Sequence, residues 1–401
     1  MRTIQAVTNR TESKRQFLLS LSKDLRSLGL RAKVFTSRKK IKFTVHIPDN
    51  NQEAMRRYMK IARRVQLKAE ASFLARMVKK DIRRFFINGS DLDIEKISPS
   101  IHICRTREDF ELYRYCRLLQ SVPNANRIGR QINALVFDYG QQQPVLIGAI
   151  GLASSMYTVG CRDRYLDWSR KDAKTKKDTG LRQIMDLAVC VAVPPYSLLL
   201  GGKLLALLAL SDPIRTEFKK KYLLPLRAIT TTCATGLHCP IFHRIMLIRG
   251  GLYRRIGETV GYTMIFFTTR TMRAARTLTR HLNKTHDQLS SKPIRIIKQA
   301  LRLCGLPYEQ LVRLGNPKAV YLAILSEQDL ISLRHGNSSN PSVGLSLADA
   351  IHYWKNSILK KRNQKKDIIE KVRSFVREEL VLKQAQVNAN INLKQLDLPF
   401  R

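Results

Sequence analysis

The clearest candidate for ligand chemistry is "CVAVPPYSLLLGGKLLALLALSD" at residues 190–212. An apolar run ends at Val193, two prolines follow, and Gly201-Gly202-Lys203 precedes a leucine-rich stretch. The first backbone N–H groups of a helix are unpaired and lie at the positive end of its dipole, so they hold phosphate well. Gly201, Gly202 and Lys203 are therefore candidate ligands of a pyrophosphate, although the glycines could instead serve only to pack a helix tightly.

Two other interpretations of this segment conflict with its residue types. A P-loop requires G-x-x-x-x-G-K-[ST], but here serine replaces the first glycine and leucine replaces the hydroxyl residue that would bind Mg²⁺. A membrane span needs about 18 consecutive apolar residues, and the prolines and the lysine interrupt the run. We predict a buried strand ending at Val193, a loop at residues 194–200 and a helix that begins near Gly201.

Two carboxylates lie near this loop in the predicted core. Asp186 is placed at the start of the buried strand, and Glu258 occurs in "RIGETVGYT". Either is a candidate general base if burial raises its pKa, or a hydrogen-bonding residue at a strand end. The chain contains no G-x-S-x-G or H-E-x-x-H motif to support a particular hydrolytic chemistry.

A cluster of potential zinc ligands occurs in "TTTCATGLHCPIFHR", where Cys233, His238, Cys239 and His243 fall within eleven residues. The spacing lacks the C-x₂₋₄-C pair that closes a tetrahedral site. We therefore expect the cysteines to be small buried side chains and the histidines to be loop contacts, with no metal bound.

The charge of the chain points to a polyanionic partner. Lysine and arginine number 72 against 31 aspartates and glutamates, a formal net charge of +41. Such an excess favours DNA or RNA as a ligand. The pattern of residues 51–86 is helical, with paired basic residues that we predict to contact phosphates: Arg56, Arg57, Lys60, Arg63, Arg64, Lys79, Lys80, Arg83 and Arg84.

A second basic candidate is "CRDRYLDWSR" at residues 161–170. Arg162 and Arg164 could donate to phosphates beside the stacking ring of Trp168, or the same residues could form a salt-bridged packing corner. Both interpretations are open at this point.

Alternating short strands and helices after residue 95 predict an α/β fold with a mixed central sheet and flanking helices. The predicted organisation is a basic, mostly helical N-terminal module (1–90), an α/β core (95–290) and a helical C-terminal region with a polar tail (291–401). "KVFTSRKKIKFTVHIP" predicts a small hairpin within the first module. The connection at residues 162–180 is polar, and a single helix is expected at 201–222.

A series of motifs resembles the DruA family, named for a component of the Druantia anti-phage system. They are, in order, "NRIGRQINALVFDYG", "PVLIGAIGLASS", "RDRYLDWS", "CVAVPPYSLLLGGKLLA", "AITTTCATGLHCPIFHRI", "GLYRRIGETVGYT" and "LVRLGNPKAVYLAIL". The resemblance covers roughly residues 95–335. It implies a bacterial cytoplasmic protein that acts in immunity against phage with other Druantia components, including a helicase-like protein.

The core also resembles, more weakly, the GNAT acyltransferases. That resemblance implies that the loop before Gly201, Gly202 and Lys203 binds the pyrophosphate of acetyl-CoA or another acyl-CoA. It also implies that the next strand, "LRAITTTCA", is splayed apart to admit the pantetheine arm. Tyr253 is the nearest candidate for the family's tyrosine general acid. This loop departs from the family because it has fewer basic residues and spaced glycines, and "SLLL" could seal it.

Three functions follow as hypotheses. The first is a defence component that binds nucleic acid through basic helices. The second is an acyl-CoA-dependent transferase acting on a nucleobase or a protein amine, and the third is a DNA-handling protein of mobile elements. A cytoplasmic location without membrane contact is expected, because no apolar run is long enough to span a bilayer and the N-terminus lacks a signal-peptide core. Seven scattered cysteines fit a reducing compartment.

Overall fold

The computed structural model describes most of the chain. The described residues are 2–27, 30–47, 59–60, 63–64, 66–68, 70–122, 129–169, 174–233, 236–248, 251–260, 267–282, 293–312, 317–336, 344–378 and 380.

Ten strands are formed by these residues. They are β1 (Arg2–Asn9), β2 (Arg31–Thr36), β3 (Lys40–Ile47), β4 (Pro99–Ile103), β5 (Gln131–Asp138), β6 (Val145–Ser154), β7 (Ile184–Ala192), β8 (Ala228–Thr232), β9 (Tyr253–Glu258) and β10 (Ala319–Ile324).

Helices are interleaved with the strands. They are α1 (Glu12–Ser27), α2 (Ala71–Lys79), α3 (Arg107–Leu118), α4 (Gly160–Tyr165), α5 (Lys174–Leu181), α6 (Gly201–Leu208), α7 (Asp212–Tyr222), α8 (Thr269–Leu282), α9 (Pro293–Leu303), α10 (Tyr308–Val312), α11 (Glu327–His335), α12 (Leu347–Tyr353), α13 (Lys360–Asn363) and α14 (Lys366–Arg373). A 3₁₀ turn at Ile82–Phe85 follows α2, and a π-helical turn at Trp354–Leu359 joins α12 to α13.

The chain divides into two compact units. The smaller unit comprises residues 1–62, 235–237 and 259–318, and the larger unit comprises residues 63–234, 238–258 and 319–401. These limits differ from the predicted boundaries near residues 90 and 290, because the helices of residues 259–318 pack with the first 62 residues.

In the smaller unit, β3 lies between β1 and β2, and both pairings are antiparallel. One face of this sheet is apolar, with Phe43 and Val45 fully buried, and it packs in one core with α1, α8 and α9. The predicted hairpin at β2 and β3 is confirmed. The prediction of a mostly helical N-terminal module is wrong for residues 2–47, because β1 adds a third strand whose alternation of apolar side chains is short.

The larger unit is built on a seven-stranded sheet in the order β4-β5-β6-β7-β8-β10-β9. Only β7 and β8 run parallel, and the other neighbours are antiparallel. Helix α6 packs on one face of the central strands, and α3 packs on the other. Strand β6 is consequently buried on both faces, which explains its unbroken apolar sequence. The predicted α/β fold with a mixed sheet is confirmed.

Three sequence predictions need correction in this unit. The region after residue 294 is not wholly helical, because the apolar hexapeptide "AVYLAI" forms β10, and so short a run has no helix-specific period. The polar connection at 162–180 contains α4 and α5. The single helix expected at 201–222 is two helices, since Ser211 occupies the extended N-cap position of a new helix with Pro213 in its first turn.

Residues 259–318 of the smaller unit begin and end at neighbouring positions of the chain's β9–β10 pair. The chain leaves β9 at Glu258 and returns at Ala319, which pairs with Glu258 across the β9–β10 ladder. Thr259 donates its amide to the Lys318 carbonyl at 2.9 Å, and the Lys318 amide donates to the Thr259 hydroxyl at 3.1 Å. Residues 259–318 are therefore an insertion between two neighbouring strands.

Candidate functional site

The predicted phosphate loop has the expected boundaries. Strand β7 ends at Ala192, one residue before the predicted position, and α6 begins at Gly201. Within the loop, however, the Ser197, Leu198 and Leu199 amides donate to backbone carbonyls three or four residues earlier, at 2.9 to 3.1 Å. The loop is thus a set of tight turns that satisfies these amides internally, which leaves fewer of them to bind an anion.

The two glycines and the lysine have packing partners. Gly201 donates its amide to the Tyr196 carbonyl at 2.9 Å, and a Cβ at Gly201 would lie only 2.8 Å from that oxygen. A Cβ at Gly202 would contact Ile241 at 3.5 Å. Lys203 donates its ammonium to the His243 carbonyl, and burial lowers its pKa. The close approach supports the packing interpretation for Gly201, whereas a Cβ at Gly202 would make only an ordinary van der Waals contact.

Two residues from the C-terminal helices cover the loop. The Trp354 indole is fully buried and donates to the Leu200 carbonyl at 3.3 Å. Arg362 donates its Nε to the Leu198 carbonyl at 2.9 Å. The loop therefore lies beneath α12 and α13, and these contacts come from residues more than 150 positions away in the sequence.

Strands β7 and β8 are paired over only part of their length. These parallel strands pair only over residues 184–186 of β7 and 228–230 of β8. Beyond this point β7 continues for six residues without a ladder partner on β8. Phe242 and Ile245, from the segment after β8, are buried in the same core as α6.

Asp186 lies at the last position of β7 that pairs with β8, within a buried polar cluster. Its carboxylate accepts hydrogen bonds from the Ser155 hydroxyl at 2.8 Å and from the Thr230 hydroxyl. Ser155 in turn accepts from Nη1 of Arg162 at 2.8 Å. The structure therefore links Asp186 with Arg162, two residues that the sequence assigned to different roles.

Arg162 is fully buried, and its guanidinium is surrounded by acceptors. It contacts Asp163 at 2.6 Å and donates to the Met156 and Tyr157 carbonyls at 2.8 and 3.0 Å. Asp163 is also paired with Lys177 at 2.9 Å. Of the two interpretations of this segment, the packing corner fits Arg162, whereas the neighbouring Arg164 is exposed.

The other two candidate catalytic residues lie apart from Asp186. Tyr253 is buried against α6 and donates its hydroxyl to the Ala206 carbonyl at 2.8 Å, and burial raises its pKa well above the usual value. Glu258 is exposed and ion-paired with Arg255 at 2.5 Å. The structure does not gather the three into one site.

Residues of the cysteine–histidine segment contact one another directly. The rings of His238 and His243 lie 5.1 Å apart, and the Cys233 thiol donates to the His238 carbonyl at 3.2 Å. Cys233 is buried and Cys239 is half-buried. No cluster of three or more His, Cys, Asp or Glu side chains with metal-binding geometry occurs in the described part of the chain.

The basic residues predicted at 51–86 have mixed surroundings. Arg56 and Arg57 lie outside the described residues. Lys80 is paired with Glu111 at 2.6 Å, and Arg83 is paired with Asp81 at 2.8 Å. Arg63 is half-buried, and desolvation lowers its pKa. Exposed side chains are found at Lys60, Arg64, Lys79 and Arg84.

Sequence reasoning missed a basic surface on α8. Four exposed arginines lie along this helix, and α8 contains no acidic residue. None of the four makes an ion pair with another described residue. They are Arg270, Arg273, Arg276 and Arg280. A spacing of three to four residues was a readable signal of one basic helical surface.

Helix α8 is positioned by residues on its opposite side. Ala275 and Leu278 are fully buried in the core of the smaller unit. Asp24 of α1 accepts hydrogen bonds from the Thr268 amide and hydroxyl, both at 3.0 Å, and so holds the start of the helix. A cleft of about 630 Å³ lies between α1 and α8, and Arg270 and Arg273 line it.

Each helix in the described part of the chain is too short or too polar to cross a membrane.

Comparison with known proteins identifies the family. Residues 49–334 match the family described as "Druantia protein DruA". A curated relative of that name from Escherichia coli (strain UMEA 4076-1) is 26% identical over 353 residues, which is 82% of this chain and 85% of the relative. No solved structure matches the chain significantly. The predicted resemblance is confirmed, together with the assignment to the Druantia anti-phage system, and the chain belongs to the DruA family.

Proposed function

We propose that this chain contributes to Druantia defence by binding nucleic acid through the arginine surface of α8. The observation that carries the proposal is the set of four exposed arginines without an acidic neighbour on the helix. Like charges three or four residues apart destabilise a helix by about 0.2–0.5 kcal/mol per pair. A polyanion removes that repulsion, and phosphate groups accept the planar guanidinium in bidentate geometry.

The charge distribution supports the same conclusion. The smaller unit carries 26 lysines and arginines but only six aspartates and glutamates, a net charge of +20 within 125 residues. It thus holds about half of the total charge of +41 in less than a third of the chain. Exposed Arg295 and Arg302 on α9 extend the basic surface of this unit, whereas Lys298 is ion-paired with Glu309 at 3.3 Å.

Lys79 and Arg84, near α2, are secondary candidates in this proposal. Their neighbours Lys80 and Arg83 already have carboxylate partners, so the net field there is weaker. Arg164 is exposed as well, whereas the burial of Arg162 removes it from any nucleic-acid surface.

Salt dependence of binding tests the proposal. Each phosphate contact releases counterions, so the logarithm of the binding constant for duplex DNA falls with the logarithm of the salt concentration by about 0.9 per contact. Replacing all four α8 arginines with glutamine is expected to weaken binding and to reduce that slope by about 3 to 4, measured by fluorescence anisotropy.

A matched control removes four exposed positive charges elsewhere. The control variant replaces Lys360, Lys361, Lys365 and Lys366 with glutamine. It is expected to keep most of the affinity. Equal loss in both variants would show that only total charge matters, and wild-type protein without detectable binding at low salt would refute the proposal.

Other components of the Druantia system are partners of this chain. We further propose that one of them is a helicase-like protein, because an enzyme that moves along nucleic acid would share a ligand with the α8 surface.

An acyl-CoA-dependent transferase is the second candidate. The observation in its favour is the sheet, in which the parallel β7 and β8 separate after three residue pairs and a loop and helix follow β7. The internal hydrogen bonds of residues 194–200 and the burial of Tyr253 weigh against it. We rank it below nucleic-acid binding, and fold likeness alone would not establish activity.

Calorimetry with acetyl-CoA separates the two candidates. The transferase hypothesis predicts saturable binding by the wild-type chain that Gly202→Glu abolishes, because a carboxylate would repel the pyrophosphate. Absence of binding by the wild type would eliminate this hypothesis and leave the nucleic-acid proposal unaffected.

A further inference from the structure

The outer face of the three-stranded sheet in the smaller unit has an unusual composition. The residues on this face are directly opposite one another in three complete rows. The rows are Thr3–His46–Arg31, Gln5–Thr44–Lys33 and Val7–Lys42–Phe35. Alternate residues of each strand form the apolar core on the other face, so these side chains all point away from that core.

An exposed aromatic ring lies among cations on this face. Phe35 is 57% exposed, and Val7, in the same row, is 58% exposed. Lys42 is directly opposite both residues on the central strand, and opposed side chains in a sheet lie about 5 Å apart at Cβ. This row therefore places a positive charge between two exposed apolar side chains.

The cations continue along β2. Lys33 and Arg31 precede Phe35 in the sequence and lie on the same face. Successive residues of this face are about 7 Å apart, the length of two residues of an extended strand. Both are exposed, and neither makes an ion pair with another described residue. No aspartate or glutamate occurs in β1, β2 or β3.

A single exposed phenylalanine is ordinary in a soluble protein and needs no ligand to explain it. Here the ring is flanked by positive charges that repel one another, and no carboxylate among the described residues is ion-paired with them. Single-stranded nucleic acid fits both properties, because its unpaired bases stack on aromatic rings while its phosphates contact the surrounding cations. A duplex fits less well, because its base faces are already stacked inside the helix.

We infer that the outer face of the β1–β3–β2 sheet binds single-stranded nucleic acid, with a base stacked on Phe35 and phosphates held by Lys42, Lys33 and Arg31. The inference rests on the proposed nucleic-acid function and extends it to a strand-selective surface. Duplex phosphates would then be bound by α8, and an unwound strand by the sheet.

The test compares two probes on the full chain, a labelled oligothymidylate and a labelled duplex of mixed sequence. Stacking of one base is worth about 1–3 kcal/mol, so Phe35→Ala is expected to weaken oligothymidylate binding about 5- to 100-fold and to leave duplex binding within about twofold. Phe35→Trp is expected to retain the affinity, and its added fluorescence should be quenched by the oligothymidylate. Phe110→Ala, which removes a ring that is 44% exposed in the larger unit, is the matched control and should change neither affinity.

The outcomes separate this inference from the function on which it rests. If Phe35→Ala binds oligothymidylate as tightly as the wild type, the sheet surface is refuted while the α8 proposal stands. The sheet surface is also refuted if Phe35→Ala weakens duplex and oligothymidylate binding equally, since loss of a base-stacking contact would weaken only single-strand binding. If the wild-type chain binds neither probe, both proposals fail.

Discussion

Asp138 shows how a single buried carboxylate organises the loop beneath α12 and α13. It is fully buried and accepts hydrogen bonds from the Tyr196 hydroxyl at 2.7 Å, the Ser98 amide at 2.7 Å and the Gly140 amide at 2.9 Å. Burial, and then the adjacent carboxylate, raises the pKa of Tyr196, so the phenol keeps its proton into the alkaline range. The contact ties the residue that anchors Gly201 to the end of β5.

Removal of this carboxylate is expected to be costly. Asp138→Ala leaves a buried hydroxyl and two amides without their acceptor, and each such group costs about 1–3 kcal/mol. We expect a loss of at least about 3 kcal/mol in the free energy of unfolding, measured by urea denaturation at pH 7. Tyr196→Phe keeps the amide contacts and should lose about 1–2 kcal/mol. An alanine variant as stable as the wild type would contradict this account.

At the level of individual residues, the sequence predicted the local turn but not the long-range contacts. The turn from Val193 to Gly201 was predictable within one residue, because prolines and glycines punctuate the chain there. The contacts of Trp354 and Arg362 with the loop were not, since they join residues more than 150 positions apart. The sequence left the burial of Arg162 open, because the segment fitted a packing corner as well as a phosphate contact, and residue type alone favours an exposed arginine.

At the scale of elements, α3 illustrates a helix held by its first turn. The Thr106 hydroxyl accepts from the Asp109 amide at 3.2 Å, and the Asp109 carboxylate accepts from the Thr106 amide at 2.8 Å, a capping box. Partial burial alone would raise the pKa of Asp109. Hydrogen bonds from the Arg105 and Thr106 amides outweigh that effect and hold the pKa below its ordinary value.

The capping box predicts a pH dependence. Since the folded state lowers the pKa of Asp109, its contribution is complete above the unfolded value near ~3.9 and is lost as pH falls through the folded value. Asp109→Asn should therefore reduce the free energy of unfolding by about 1 kcal/mol at pH 7, and the deficit should shrink on acidification. Glu108→Gln, at the neighbouring first-turn carboxylate, is the control. A deficit that grows towards low pH would rule out this explanation.

Strands and helices differ in how far the sequence predicted them. The strands from β4 to β9 were predictable because turn residues bound each apolar run. Strand β10 was not, because its six buried residues carry no periodicity and follow a long helical stretch. The basic surface of α8 was also predictable, because its arginines recur every three or four residues.

The whole molecule acts in a multi-protein defence system, so its function should be visible in infected cells. Deleting the gene for this chain from its operon is expected to restore plaque formation by phage. Re-expression of the wild type should suppress plaques, whereas the variant with four α8 glutamines should not. The control is the variant in which Lys360, Lys361, Lys365 and Lys366 are replaced with glutamine. Protection that survives the deletion would count against a role in defence, and full protection by the α8 variant would count against its arginine surface.

The hairpin between β9 and β10 has a consequence for how such chains diversify. Because Thr259 and Lys318 are hydrogen-bonded neighbours, the segment 260–317 leaves and re-enters the chain at two adjacent positions beside the β9–β10 ladder. Exchange of this insertion between relatives preserves the register of both strands, provided that residues 1–62 travel with it to complete the smaller core. The junction is therefore a natural breakpoint for chimeric proteins, which we expect to retain the β9–β10 ladder.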